Sequence, residues 1–308
     1  MRLREWVGTV IVGGLLVGMA GCPGGGSASS SPSDTPTEGP PPSEGPSEGP
    51  APTAAAPTGG QEPEPLPAGV KAGERAGEYV HEKSGIVLVW VPPGKFSMGS
   101  DAPEAEKEKP VHEVTLSRGF FLGKHEVTVG QYLAYCEAAG VAKPEKLEAP
   151  EDHPVAFVSW DDAQAFCSWA GLRLPSEAEW EWAARGSDGR AYPWGNDEPG
   201  TTRANMKGGE DGHEESAPVG SFPEGAAACG ALDMGGNVVE WCQDWYAETY
   251  PSDAPVSDPT GPSSGTFRCF RGGAFTFPPE RARATDRAGI GPTRAVKYIG
   301  FRVALSHQ

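Results

Sequence analysis

Apolar and polar positions between residues 86 and 182 fall into patterns that specify elements. Ile86 to Val91 is unbroken apolar, of strand length, and closed by Pro92-Pro93-Gly94; it reads as a buried strand. Lys95 to Met98 and Val111 to Leu122 carry further strand character. Thr128 precedes Val129, Tyr132, Leu133 and Cys136, whose spacing puts them on one face of a helix capped by Thr128 and running to about Ala139. Ser159 opens a second helix, with Ala163, Phe166, Cys167 and Ala170 as its apolar stripe. Ser176-Glu177-Ala178-Glu179 is a capping box for a third, short helix that carries Trp180 and Trp182. Pro175 disfavours the α region at Leu174, so an extended segment feeds that helix. Beyond Gly186 the pattern dissolves into Gly, Pro, Asn and Asp interrupted by tryptophans, and strands return at 267–271 and 299–305. Irregular stretches of that length need pinning by aromatic residues, metal ions or disulfides.

The first seventy residues have another texture. Met1-Arg2-Leu3-Arg4 supplies a positive start, and Trp6 to Met19 an apolar run broken by glycines. That run is too short and glycine-rich for a membrane-spanning helix and ends on small residues, as a cleavable export signal does. Met19-Ala20-Gly21-Cys22 resembles the lipobox of bacterial lipoproteins, with Met19 where leucine is usual. The resemblance implies that Cys22 is lipidated and anchors the protein to a membrane; the alternative is ordinary cleavage near Gly21 with Cys22 as a free thiol. From Cys22 to Val70 the chain holds thirteen of its 32 prolines and no aromatic residue, and Glu-Gly-Pro recurs at 38–40, 44–46 and 48–50. Such a segment has nothing to bury that could offset its ordering entropy. The expected organisation is therefore a signal peptide over 1–22, a Pro/Gly/Ser/Glu-rich tether over 23–78 and one compact domain over 79–308. Location in a bacterial cell envelope follows, with the domain facing the periplasm or the cell surface.

Charge narrows the partners. With 42 acidic and 25 basic residues the formal net charge is -17, and no basic stripe interrupts it, which excludes nucleic acid. Phosphate-binding loop, His-Glu-x-x-His and Cys-x-x-Cys motifs are all missing from the sequence. The acid pairs Glu177/Glu181 and Asp161/Asp162 read as capping and solvated-face residues. Besides Cys22 there are Cys136, Cys167, Cys229, Cys242 and Cys269. Their connectivity is open, and Cys136–Cys167, both on apolar helix faces, is the first pairing to test.

Eight of the nine tryptophans lie between Trp90 and Trp245, within ordered blocks. Val158-Ser159-Trp160-x-Asp162-Ala163 is followed by Trp169-Ala170-Gly171-x-Arg173-Leu174-Pro175-Ser176-Glu177-Ala178-Glu179-Trp180-Glu181 and by Tyr192-Pro193-Trp194-Gly195. Gly236-Asn237-x-x-Glu240-Trp241-x-x-Asp244-Trp245, Arg271-Gly272-Gly273 and Gly300-Phe301-Arg302 complete the set. Over roughly 85–305 the chain resembles the formylglycine-generating enzyme, or sulfatase-modifying factor, family. The resemblance implies an α+β, C-type-lectin-like fold with much irregular chain around a small twisted sheet. It makes Trp160, Trp169, Trp180 and Trp194 scaffold residues.

Oxidase members of that family convert a sulfatase cysteine to formylglycine, using oxygen and copper held by two cysteines. Thiolates are the soft ligands that select monovalent copper. Here the two positions carry Phe277 and Ala282, a neighbouring serine position is Ala274, and a pocket tryptophan is Val239. No copper is expected. A second branch uses iron held by three histidines from an additional helical domain; His81, His112, His125, His153, His213 and His307 show no helical pairing. Structural calcium is what the resemblance carries over. One ligand set would be Asn205, the carbonyl of Met206, Asp211 and the carbonyl of His213; the other Asp233, Glu240 and the carbonyls of Gly236 and Val238. The family's bridge from the Cys167 position cannot form, because its partner position is Val303. Two functions remain. One is a lipid-anchored, non-catalytic module that binds a peptide, glycan or protein in a groove around Ala274–Ala282 and Asp233–Trp245. The other is a metal-dependent oxidoreductase with a different arrangement, drawing on Cys242 or Cys269.

Overall fold

The computed structural model describes residues 63–208, 210–251 and 256–307. The signal segment, Cys22 and most of the tether lie outside the described residues. Five strands form the first sheet: β1 (Val70–Ala72), β2 (Glu78–His81), β3 (Val87–Val91), β6 (Phe120–Gly123) and β11 (Ala304–Ser306), in that spatial order. Its centre is the antiparallel pair β3–β6, with Val89 opposite Leu122 and Trp90 opposite Phe121. Both faces of this pair are covered, which is why Ile86 to Val91 is apolar without alternation. Leu88 and Phe121 enter one core, and Val89, Val91, Phe120 and Leu122 enter another.

β4 (Gly94–Met98) and β5 (His112–Leu116) make a separate two-stranded ladder. The stretch 111–122, read from sequence as strand throughout, is thus two strands in two sheets. Ser117-Arg118-Gly119 breaks it, and Gly119 must be glycine because a side chain there would overlap the Trp90 ring. The third sheet runs β10 (Ile299–Gly300), β7 (Val239–Trp245), β8 (Arg268–Arg271) and β9 (Arg287–Ile290). Residues 299–305 accordingly serve two sheets. Ile299 and Gly300 pair with β7, Ala304 pairs with β6, and the buried Phe301, Arg302 and Val303 cross between them.

The three helices stand where their caps put them: α1 (Val129–Ala139), α2 (Trp160–Ala170) and α3 (Glu177–Arg185). Each opens with a complete capping box, Thr128/Gln131, Ser159/Asp162 and Ser176/Glu179. α1 and α2 pack through the stacked rings of Tyr132 and Phe166, 5.9 Å apart, and cover one face of the first sheet. α3 supplies Trp180 and Trp182 to the other core. Indole N–H groups then bind loops to elements: Trp160 donates to the Cys242 carbonyl (2.8 Å), Trp241 to that of Val158 (3.1 Å) and Trp182 to that of Pro92 (2.9 Å).

All five described cysteines are buried free thiols, so the helix–helix bridge between Cys136 and Cys167 is not formed. Tyr132, Tyr135 and Phe166 occupy the space between those helices, and the Cys136 thiol turns instead toward the Ala142 carbonyl, 3.9 Å away. Cys242 and Cys269 are the pair that interact, across β7 and β8. No helix of the described residues is long and apolar enough to cross a membrane.

Candidate functional site

β8 ends in Arg271-Gly272-Gly273, and the two glycines turn the chain with φ of 104° and 71°. A side chain at Gly273 would run into the Arg281 carbonyl, so the loop can close only with glycine there. Beyond it lie the two positions that the resemblance assigns to copper-binding cysteines. Phe277 and Ala282 instead join an apolar cluster with Tyr192, Ala204, Met206 and Trp194. The Tyr298 ring lies 5.2 Å from that of Phe277, and the Arg281 guanidinium sits over it at 5.3 Å. Hydrocarbon fills the space where thiolates would meet a soft metal, and these residues do not fit copper.

Within the segments 274–282 and 233–245, expected to border a groove, some residues are buried and others line openings. Ala274, Ala282 and Val239 are buried, and Ala282 packs with Phe277 and Met206. Phe275 lines a cavity of about 520 Å³ together with Lys146, His153, Phe157, Glu215 and Lys297, among others. Phe157 has φ of 56°, a strained conformation for an aromatic residue. The backbone on either side holds it there, since Phe157 donates its N–H to the Val296 carbonyl and Val158 is wholly buried. Lys297 lies 5.3 Å above the Phe275 ring and 3.3 Å from Glu215, and Lys146 lies 5.9 Å from the Phe157 ring. His153 and Ser216 share a hydrogen bond of 3.1 Å. Two aromatic faces carrying cations suit a ligand that joins a flat apolar group to a carboxylate.

A second arrangement collects carboxylates. Glu240 of β7 is wholly buried; Arg302 grips it with Nε and Nη2, each at 2.6 Å, and Trp180 Nε1 adds a third bond at 2.7 Å. Neighbouring Asp233 accepts the Gly220 N–H, at 2.6 Å through Oδ2, and a side-chain hydrogen bond from Glu126, and no N–H reaches its buried Oδ1. Glu126, on the chain between β6 and α1, shares that bond with Asp233, and no N–H reaches either of its buried carboxyl oxygens. Burial raises the Glu126 carboxyl well above its ordinary range, and the Asp233 charge adds to the effect. Burial also pushes Asp233 up, against the Gly220 N–H and Arg302, to about 6. Hard carboxyl oxygens with no N–H donor are of the chemistry that suits a hard cation. Glu240, the carboxylate the resemblance assigns to that site, already has both oxygens bonded to Arg302 and Trp180.

The other calcium set is brought together in part. Asp211 accepts N–H groups from Met206 (3.2 Å) and His213 (2.9 Å). Asn205 is buried and donates to the Glu215 carbonyl at 2.8 Å, and its Oδ1 has no partner. One orphan amide oxygen beside a carboxylate is compatible with calcium. Among the described residues no group of three His, Cys, Asp or Glu side chains converges, so both sets depend on backbone and amide oxygens.

Glu177 and Glu181 are neither capping nor solvated. Both are buried on α3 and meet Arg271 of β8, Glu177 at 3.1 Å and Glu181 at 2.8 Å, while Arg287 of β9 binds Glu177 at 2.6 Å. Burial would raise Glu177, but Arg287 and Arg271 outweigh it and hold the carboxyl down to about 2. Sequence reading missed this network, Glu126 and Phe157. The arginines of Arg271-Gly272-Gly273 and Gly300-Phe301-Arg302, singled out with no acidic partner assigned, were the available signal.

The model of the sulfatase-modifying factor enzyme 1-like domain family matches residues 78–307. The formylglycine-generating enzyme of Streptomyces coelicolor is 35% identical over 280 residues, covering 70% of this chain and 88% of that protein. Serine/threonine-protein kinase Pkn1 of Chlamydia trachomatis is 36% identical over 241 residues, 70% of this chain and 38% of that one. Among solved structures, PvdO from Pseudomonas aeruginosa superposes with a TM-score of 0.68 at 29% identity, covering 76% of this chain and all of that one. With its α+β architecture and a match over most of its length, the chain belongs to the sulfatase-modifying factor enzyme 1-like domain family.

Proposed function

We propose that this protein is an exported, lipid-anchored binding module that keeps the family scaffold without the copper chemistry. The observation that carries the reading is the apolar packing of Phe277 and Ala282 where an oxidase would present two thiols. The groove edged by Phe157, Phe275, Lys146 and Lys297 takes a peptide, glycan or protein segment that presents a carboxylate beside a flat apolar group. Cys22 holds the module to a membrane of the bacterial cell envelope through its lipid, and the proline-rich tether sets the reach. Structural calcium is bound at Asp233 and Glu126 with the Gly236 and Val238 carbonyls, and at Asn205 and Asp211 with the Met206 and His213 carbonyls.

The alternative, a redox centre on Cys242 and Cys269, has less support. Both thiols are wholly buried, and burial pushes both upward, away from the reactive thiolate. The test incubates the full-length protein with copper, oxygen and a sulfatase-derived peptide bearing the target cysteine, and reads the peptide by mass. An unchanged cysteine is expected; formation of the aldehyde would overturn the reading. Ala scanning of Phe275 and Lys297 in a screen of acidic aromatic peptides should abolish whatever binds the groove.

A further inference from the structure

A second cavity, of about 310 Å³, shares no lining residue with the groove. Its walls are apolar: Met98 of β4, Ala178 of α3, and Tyr250, Pro251, Pro259 and Pro262 from the chain that follows β7. Its acidic and guanidinium groups are Asp244 of β7, Glu177 of α3 and Arg287 of β9. Glu177 and Arg287 satisfy one another through two bonds, of 2.6 and 2.9 Å. Arg287 Nη1 donates to the Lys107 and Ala247 carbonyls, both at 2.8 Å.

Asp244 is left over. It is only 3% exposed, and its Oδ2 accepts the Glu177 N–H at 2.8 Å. Among the described residues nothing donates to its Oδ1, and no cation forms an ion pair with it. The charged groups around it do not change that balance. From α3 come Glu177 and Glu179, from β8 Arg268 and Arg271, and Arg287 and His112 line the cavity. Arg271 and Arg287 are neutralised by Glu177 and Glu181. Arg268 is held between the rings of Trp160 and Trp245, at 3.7 and 3.5 Å. Burial first, then the Glu177 charge, push the Asp244 carboxyl up to about 8. An acid in that condition is stabilised by whatever brings it a counter-charge.

We propose that this cavity binds a small organic ammonium compound, with its charged nitrogen on Asp244 Oδ1 and its hydrocarbon body along Tyr250, Met98 and the three prolines. A hard metal ion would need six or more oxygens, and these walls offer carbon. A guanidinium would need two free acceptors in a plane, and Oδ2 is already bound by Glu177. An ammonium is a compact charge that one free oxygen can orient, and Ser263 and water at the mouth take its other protons. An uncharged ligand would leave Asp244 as it is.

The test is calorimetric titration of the full-length protein at about pH 7 with cyclohexylammonium and with its neutral isostere, cyclohexanol. One-to-one binding of the ammonium is expected, at least about tenfold tighter than the alcohol. Because Asp244 is largely protonated at that pH, binding should release a proton, read as a heat that varies with the ionisation enthalpy of the buffer. Asp244→Asn should remove the preference for the ammonium. Ala247→Phe fills the cavity, keeps the main-chain bond to Arg287 and leaves Asp244 intact, and should abolish binding. Equal binding of the alcohol, binding undiminished in Ala247→Phe, or no binding of either probe would each overturn the proposal.

Discussion

Two buried clusters of acids in this domain are compensated in opposite ways. On α3, Glu177 and Glu181 are met by Arg271 and Arg287, and each carboxylate is paired within the chain. Between β6 and β7, Glu240 alone has its arginine, while Glu126 and Asp233 keep oxygens that no N–H reaches. The first cluster is closed by the polypeptide itself; the second is where the calcium proposed above would supply the missing charge. Burial is equally deep in both, so the difference lies in how much positive charge the chain itself brings to the acids.

The largest effect should come from breaking the closed cluster. Arg271→Met removes the wholly buried guanidinium that bridges Glu177 and Glu181, leaving Glu177 to Arg287 and Glu181 to Arg185, and should cost about 3–5 kcal/mol, measured as the shift of the urea midpoint. Acid tests the same cluster from the other side. The Glu177 carboxyl is held down from 4.5 to about 2, so its contribution, on the order of 3 kcal/mol, is fully present above pH 4.5 and is lost as pH falls toward 2. The acid limb of the stability profile should flatten in Glu177→Gln; an unchanged limb would mean that another carboxylate controls it. The open cluster should respond to calcium instead. Calcium at about a hundredfold above its dissociation constant should add about 2.7 kcal/mol per site, and Glu126→Gln with Asp233→Asn should remove this cluster's share of the gain while leaving the acid limb intact. The smallest effect is the control. Lys95 and Glu113 form an ion pair of 2.6 Å on the surface, with side chains 61% and 67% exposed, and Lys95→Ala should change stability by less than about 1 kcal/mol.

How much of this could be read beforehand follows from the range of each interaction. The helices were legible because their caps are local: Ser176 and Glu179 close their box three residues apart. β3 was legible because its faces are both apolar. β7 was not, since no apolar–polar alternation develops along it. Val239, Glu240, Trp241 and Cys242 are buried in succession, and Glu240 looks like a surface residue until Arg302 is placed. The same distance hid Glu177, whose partners lie 94 and 110 residues further along the chain. The family resemblance located Asp233 and Glu240 but not Glu126, which enters the corner from a segment the motif does not contain. Phe157 was hidden for another reason: only its backbone angle sets it apart, and no residue type announces that.

The pairing of early acids with late arginines has a consequence for synthesis. Glu177 leaves the ribosome well before Arg271 and Arg287, and Glu240 precedes Arg302 by 62 residues. Until those arginines are made, burying the acids would leave them uncompensated, so the nascent chain gains nothing by closing its core early. The tryptophan face of α3 must wait exposed during that interval. Completion of the fold is thereby timed by the last arginine, and a chain stalled before it is a natural client for a chaperone.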